Sequence, residues 1–344
     1  MKDEINSYRA LALQTKCIAV NKAQTRDEAR EIIFQTITRL AGQIAASCAF
    51  IGADVQLVVL PEYFLTGFPL GESIVAWRDK ACLEIGGAEY EKLGEIAQKH
   101  RIYLSGNAYE LDPNFSELYF QTCFIIAPSG DVTLRYRRLY SMFAPTPHDV
   151  WDQYLDVYGM EGVFPVARTE IGNLAALASE EILYPEIARC LMMRGAEIFC
   201  HNTSEIYGDD AMPKNAAKIS RALENLAYVV ASNSAGIFET PIPAASTDGG
   251  SRIVDYRGLT LAQTAQGESM AAFAEIDLAA LRRYRRRPGL GNILARQRFE
   301  LFANSYANVN FYPANNLAGQ TPDRSHFVKT QRETIERLEK LKII

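Results

Sequence analysis

Leu177-Ala178-Ser179-Glu180-Glu181-Ile182-Leu183-Tyr184-Pro185-Glu186 reads as the end of a buried strand, a tight polar elbow and the start of a helix. The run 174–178 is short and continuously apolar, the pattern of a strand covered on both faces. Pro185 suits a first helical position, where its missing N–H would have had no partner. That helix runs through Met193, and Gly195 closes it. Outward from the elbow, residues 196–201 form the next strand, 215–226 a helix and 227–232 another strand.

The alternation extends upstream. Residues 10–20 are β-prone, and Thr25 with Glu28 forms a capping-box pattern before a long amphipathic helix. Ile32, Ile33, Ile37, Leu40, Ile44 and Ala45 recur along it at helical spacing. Residues 55–60 form a second apolar strand, stopped by Pro61 and followed at once by Glu62. A helix at 88–99 leads to a strand at 102–109, and 119–128 and 132–140 pair as a hairpin around Ser129-Gly130-Asp131. Residues 141–161 read as a long irregular stretch, and such loops are often functional. A last hairpin is expected from 251–261 and 271–276. Strands alternating with helices, interrupted by hairpins, indicate an α/β domain with mixed sheets. It is expected over residues 1–308. Residues 309–344 form an extension that packs on the core or on a partner subunit, with Phe327, Ile335, Leu338 and Leu341 along one helical stripe.

Composition narrows the function. The 344 residues are 48% hydrophobic, ample for a large core, and the formal net charge is -5. Nothing in that balance favours nucleic acid, which is bound by clustered positive charge. The one basic run, Arg282-Arg283-Tyr284-Arg285-Arg286-Arg287, reads as a solvated helix end. The six cysteines are scattered, with no CxxC pair, which suggests a reducing compartment. The polar first nine residues are not a signal peptide, and no apolar run approaches a membrane span. A cytoplasmic protein is therefore expected. No His, Cys, Asp or Glu spacing matches a metal site, and no phosphate-binding loop or dinucleotide fingerprint is present, so no metal and no cofactor is expected.

Three segments carry a resemblance. Leu60-Pro61-Glu62-Tyr63-Phe64-Leu65-Thr66-Gly67-Phe68-Pro69 resembles the glutamate motif of the nitrilase (carbon–nitrogen hydrolase) superfamily. Tyr136-Arg137-Arg138-Leu139 resembles its lysine motif, and the elbow segment resembles its cysteine motif. Arg194-Gly195-Ala196-Glu197, Arg221-Ala222-Leu223-Glu224-Asn225, Val230-Ala231-Ser232-Asn233 and Gly249-Gly250-Ser251 follow in the expected order, so the likeness covers roughly residues 10–305. It implies a four-layer α-β-β-α sandwich that pairs through its outer helices into homodimers or larger homo-oligomers. It also implies a Glu–Lys–Cys triad that attacks nitrile or amide carbons of small molecules.

Transferred position by position, the triad becomes Glu62, Arg138 and Ser179, with Glu180 and Glu181 at the following aromatic and acidic positions. A thiol ionises near pH 8.5 or below, whereas a hydroxyl needs a placed base. Arginine stays protonated and cannot shuttle a proton as lysine does. A Glu180 carboxylate facing the oxyanion hole would repel the anion that forms there.

Around this triad, Asn202 and Thr203 follow a strand end, where α/β folds place ligand contacts. His148 on the long stretch is either a partner for Ser179 or a solvated loop residue. Cys190, Cys200 and Glu224 read as structural. Three functions stay open. The chain is a degenerate hydrolase that keeps a small-molecule pocket, or an active enzyme on amide- or amidine-like substrates with Glu62 as base. Alternatively it is a structural or regulatory subunit whose pocket is filled by a Glu62–Arg138 salt bridge.

Overall fold

A computed structural model describes residues 7–317 and 323–344. In chain order its strands are β1 (Tyr8–Ala12), β2 (Cys17–Ile18), β3 (Val55–Val59), β4 (Tyr103–Leu111), β5 (Tyr119–Ile126), β6 (Val132–Arg137), β7 (Ala167–Thr169), β8 (Gly172–Ala178), β9 (Ile198–Asn202), β10 (Tyr228–Ser232), β11 (Ile237–Phe238), β12 (Arg252–Val254), β13 (Thr260–Gln263) and β14 (Phe273–Ile276). The helices are α1 (Arg26–Ile51), α2 (Ile74–Ala81), α3 (Ala88–His100), α4 (Trp151–Val163), α5 (Pro185–Met193), α6 (Pro213–Asn225), α7 (Leu278–Arg286), α8 (Glu300–Ala307) and α9 (Arg324–Lys340).

Two six-stranded sheets face each other, ordered β14-β1-β3-β4-β5-β6 and β13-β12-β10-β9-β8-β7. The centre of each is parallel (β1, β3 and β4; β8, β9 and β10), and the flanking strands are antiparallel. Pleating sends successive side chains to opposite faces. Ala10, Ala12, Leu57 and Val59 therefore meet Leu174, Ala176, Cys200 and Val230 between the sheets. Leu11 and Val58 point outward against Ile33, Ile37, Leu40 and Ile44 of α1 and Leu93 and Ile96 of α3. On the far side α5 and α6 cover the second sheet through Ile187, Ala188, Leu191 and Ala222. The result is the expected four-layer α-β-β-α sandwich of mixed sheets, with neither sheet closed into a barrel.

Local chemistry sets the boundaries. Thr25 caps α1 by accepting the Glu28 N–H at 3.2 Å, while the Glu28 carboxylate reaches back to the Gln24 N–H at 2.7 Å. Gly195 adopts φ 97° after α5, a left-handed stop that a side chain would strain.

Four expectations change. Residues 10–20 divide into β1 and β2, and β2 leaves the main sheet to pair with β11. The stretch 141–161 contains the helix α4, kinked at Gly159, so it is not an irregular loop. The last hairpin is β12–β13 alone. Its turn is set by Asp255, whose Oδ1 accepts the N–H groups of Arg257 (2.8 Å) and Leu259 (2.9 Å), and β14 crosses to pair with β1 in the other sheet. The basic run is partly structural. Arg282 forks onto Glu197 at 2.7 and 2.8 Å, and Arg285 donates to the carbonyls of Leu226, Ala196 and Asn225 at 2.9, 2.8 and 3.2 Å. Arg285 thereby satisfies the carboxyl end of α6, where a helix leaves carbonyls unpaired and its dipole favours a cation.

Of the terminal stripe, Phe327 is buried in the α1-side core, whereas Ile335 and Leu341 are exposed. Among the described residues no helix is long and apolar enough to cross a membrane.

Arg285→Ala is expected to lower unfolding stability by about 1–3 kcal/mol, since three carbonyls lose a charged donor. The exposed Arg283→Ala should stay within about 0.5 kcal/mol of the parent in the same urea titrations.

Candidate active site

The parallel strands of both sheets end at one edge. Pro61 cannot extend β3, so the chain leaves the sheet there. The Leu60 carbonyl accepts the Asn202 side-chain amide at 2.7 Å, and the Glu62 N–H donates to the Thr203 carbonyl at 3.2 Å. Tyr63 adopts a left-handed φ of 61°, and its ring packs between Phe68 and Tyr109. Together these hold the Glu62 carboxyl fully buried between the sheets.

Glu62 Oε1 accepts the Gln121 amide at 2.8 Å and Arg138 Nη1 at 3.1 Å. Gln121 also accepts Arg138 Nη1 at 2.6 Å and donates to Asn107 at 3.1 Å. The remaining guanidinium donors are engaged as well. Arg138 Nε meets the Tyr140 carbonyl at 2.6 Å, and Nη2 forms an ion pair with Glu180. Among the described residues Glu62 Oε2 is buried and closes no hydrogen bond of good geometry, although the Ser179 hydroxyl lies near enough to oppose, in part, the rise that burial causes in the carboxyl's pKa.

Ser179 sits at φ 47°, a left-handed elbow between β8 and a short helical turn over Ser179–Leu183. Backbone strain of this kind is uncommon outside glycine and often marks a functional turn. Its carbonyl meets His201 Nε2 at 2.8 Å, and its hydroxyl oxygen accepts Lys214 Nζ at 3.1 Å. Glu181, two residues on, accepts the Tyr136 hydroxyl (2.9 Å), the Leu139 N–H (2.6 Å), the Tyr140 N–H (3.2 Å) and the Ala178 N–H (3.3 Å). It thus ties the elbow to the segment that carries Arg138.

Burial raises the Glu62 carboxyl, opposed by Arg138 and then Lys214. Burial pushes Glu181 up to about 7 against the pull of Arg138 and its backbone donors. Burial, reinforced by Lys218, drives His201 down to about 3, so it is neutral at physiological pH. Its ring contacts the Ser179 carbonyl and not the hydroxyl, which leaves it unable to act as that hydroxyl's base. Among the described residues no cluster of three or more His, Cys, Asp or Glu side chains is placed to hold a metal.

Residues 13–286 match the family described as Carbon-nitrogen hydrolase. The chain belongs to that family. It is 30% identical over 229 residues to the nitrilase and fragile histidine triad fusion protein NitFhit of Caenorhabditis elegans, covering 65% of this chain and 50% of that protein. It is 29% identical over 164 residues to nitrilase 2 of Arabidopsis thaliana, covering 44% of this chain and 45% of that one. The chain thus spans about half the length of these curated relatives. Among solved structures, a carbon–nitrogen hydrolase from Helicobacter pylori G27 aligns with TM-score 0.64 at 20% identity, covering 88% of this chain and 99% of that one. Saccharomyces cerevisiae Nit3 aligns with TM-score 0.62 at 19% identity, covering 83% and 95%.

Within this carbon–nitrogen hydrolase fold, Glu62, Arg138, Ser179 and Glu180 converge. Asn202 and Thr203 lie beside them, but the Asn202 amide is committed to Leu60 and Ser105. Thr203 supplies backbone bonds to Glu62 and Ser232, and its hydroxyl is buried. His148 is placed elsewhere, with its ring against Trp151 and Tyr312, and the structure shows no contact between it and Ser179. Sequence reasoning passed over Gln121, Asn107 and Lys214. The first two stand in β4 and β5 beside other polar residues, Ser105, Glu110 and Thr122, so no local pattern singled them out. Lys214 left no trace either, because it meets Ser179 only through the packing of α6.

Glu181→Ala is expected to cost about 2–4 kcal/mol, because it strands several buried donors. For the wild type the folded pKa lies above the ordinary 4.5, so the folded state holds the proton longer than the unfolded one. The associated stability is full below 4.5 and lost as pH rises through about 7. Urea titrations across that window should show the wild type losing ground to Glu181→Gln as pH rises.

Proposed function

We propose that this carbon–nitrogen hydrolase family member binds a small molecule at the Glu62–Arg138–Ser179 site and lacks ordinary amidase or nitrilase turnover. In this reading Arg138 and Ser179 stand where the resemblance places a lysine and a cysteine. The observation that carries it is the complete engagement of Arg138. Every guanidinium nitrogen is bound within the protein, two of the partners being Glu62 and Glu180. A cation so neutralised offers little field to a developing anion, and it cannot pass a proton. The hydroxyl beside it is also far less acidic than a thiol. The relatives' names, nitrilase and, for a Helicobacter acinonychis protein 26% identical over 185 residues, formamidase, indicate the chemical class of ligand: small amides, nitriles and their products.

Pairing of two copies through the outer helices is part of this proposal. Support comes from the exposed apolar side chains around α5 and α8: Tyr184, Met193, Leu301, Phe302 and Tyr306. A second reading, an enzyme with altered chemistry, is favoured by one contact, the Lys214–Ser179 hydrogen bond.

The test compares the wild type with the Arg138→Lys/Ser179→Cys double variant on short aliphatic amides, nitriles and carbamoyl compounds. The wild type should stay at background. The double variant should gain at least about a hundredfold, the scale of restored acid–base chemistry. Efficient hydrolysis of a simple amide by the wild type would overturn the proposal.

A further inference from the structure

We infer that Ser179, Glu62 and Lys214 form a hydroxyl-centred acyl-transfer set, with Lys214 as its working cation, and that its substrates are carboxylic esters of small acids. This goes beyond the loss of amide and nitrile turnover and does not depend on it.

The geometry supplies each part. Lys214 is the second residue of α6, directly after Pro213. Its Nζ donates to Ser179 Oγ at 3.1 Å and to the Ser204 carbonyl at 3.3 Å, so the ammonium is aimed at the hydroxyl by a fixed backbone acceptor. Arg138 has no such freedom, its donors being committed elsewhere. With Oγ accepting from Lys214, its own hydrogen is left to turn toward Glu62, whose Oε2 is buried without a hydrogen-bond partner among the described residues. A hydroxyl held between a carboxylate acceptor and an ammonium donor is polarised from both sides.

The step balances as follows. Oγ bonds to the ester carbonyl carbon, the hydroxyl proton passes to Glu62, and the carbonyl π pair moves onto oxygen. Re-formation of C=O breaks the bond to the leaving oxygen, which departs with the electron pair and takes a proton from Lys214. The acyl group stays on Ser179 as an ester until water releases it as a carboxylic acid. Glu62 returns its proton to Lys214 through solvent. Esters fit better than amides because an alkoxide or phenoxide is a far weaker base than an amide anion, and an ester carbonyl has less resonance to lose on attack. Ser179 is 4% exposed, which restricts the acyl group to a small one.

The experiment treats the full chain with p-nitrophenyl acetate, phenyl acetate and a fluorophosphonate probe, follows adducts by intact mass, and locates them by peptide mapping. Hydroxylamine lability separates an ester on Ser179 from an amide on lysine. Expected are acetyl and phosphonyl adducts on Ser179, absent from Ser179→Ala. With phenyl acetate, whose leaving group needs the proton, labelling should slow at least about tenfold in Lys214→Met and Glu62→Gln, the lower end of what a positioned proton donor or acceptor contributes. Lys92→Met, a change at an exposed lysine paired with Glu95, should label like the wild type.

Lys214→Arg keeps the charge but cannot pass a proton. It should still be acetylated by p-nitrophenyl acetate, whose leaving group needs no proton, and fail with phenyl acetate. Absence of a Ser179 adduct in a folded wild type overturns the inference, as does Ser179 labelling by phenyl acetate at full rate in folded Lys214→Met. The amide panel reads the earlier proposal separately: Ser179 acylation with silent amides upholds both, and no acylation with silent amides overturns this one alone.

Discussion

The Glu181 carboxyl is the stitch between the two halves of the sandwich at the candidate site. From the second sheet it takes the Ala178 N–H, and from the first the Tyr136 hydroxyl and the N–H groups of Leu139 and Tyr140. Donors from both sheets converging on one buried acceptor fix the end of β6 against the end of β8 within hydrogen-bond tolerance. Two residues on either side of that stitch, Arg138 and Ser179, inherit their separation from it. Burying such a carboxyl is costly unless its oxygens are satisfied, and four donors meet that condition here.

Charge is then distributed unevenly around the elbow. Arg138 lies between Glu62 and Glu180, and that triplet keeps its charges among its own members. On the opposite side Lys214 faces the hydroxyl, while the fully buried Lys218 behind it is matched by Glu205. The positive field reaching Ser179 therefore comes from α6 and not from the end of β6. A buried pair such as Glu62–Arg138 is weak support for stability by itself, since desolvation offsets its attraction. Its clearer effect is conformational. With Gln121 it leaves the Glu62 carboxyl one oxygen to offer, and that oxygen is Oε2.

Much of the architecture was legible in the sequence because it is local. The 3.6-residue recurrence of Ile33, Ile37, Leu40 and Ile44 is a property of one helix, and the runs in β3 and β8 are apolar because both faces are covered. The salt bridge between Glu62 and Arg138 was foreseeable once both residues were placed at one sheet edge, and it is present at 3.1 Å. Failures occurred where tertiary placement overrode local pattern. Arg282 and Arg285 look like solvated charge until Glu197 and the end of α6 come into contact with them. Residues 271–276 look like the return arm of a hairpin, yet their partner lies at the other end of the chain. Lys214 and Ser179 are separated by 35 positions, and no periodicity links them.

The pairing of Tyr8 with Ile276 and of Leu11 with Phe273 has a consequence for how the molecule comes into being. β1 has β3 on one side, and its other side stays open until β14 arrives. On a ribosome working from the amino end, most of the domain is therefore made before the first sheet gains its last strand. Until then β1 presents an unpaired row of backbone donors and acceptors, the kind of edge that invites pairing with another chain. Contacts spanning this much sequence slow folding, because a large loop must close before they form. The vulnerable interval in this protein's life is the wait of its first strand for its last.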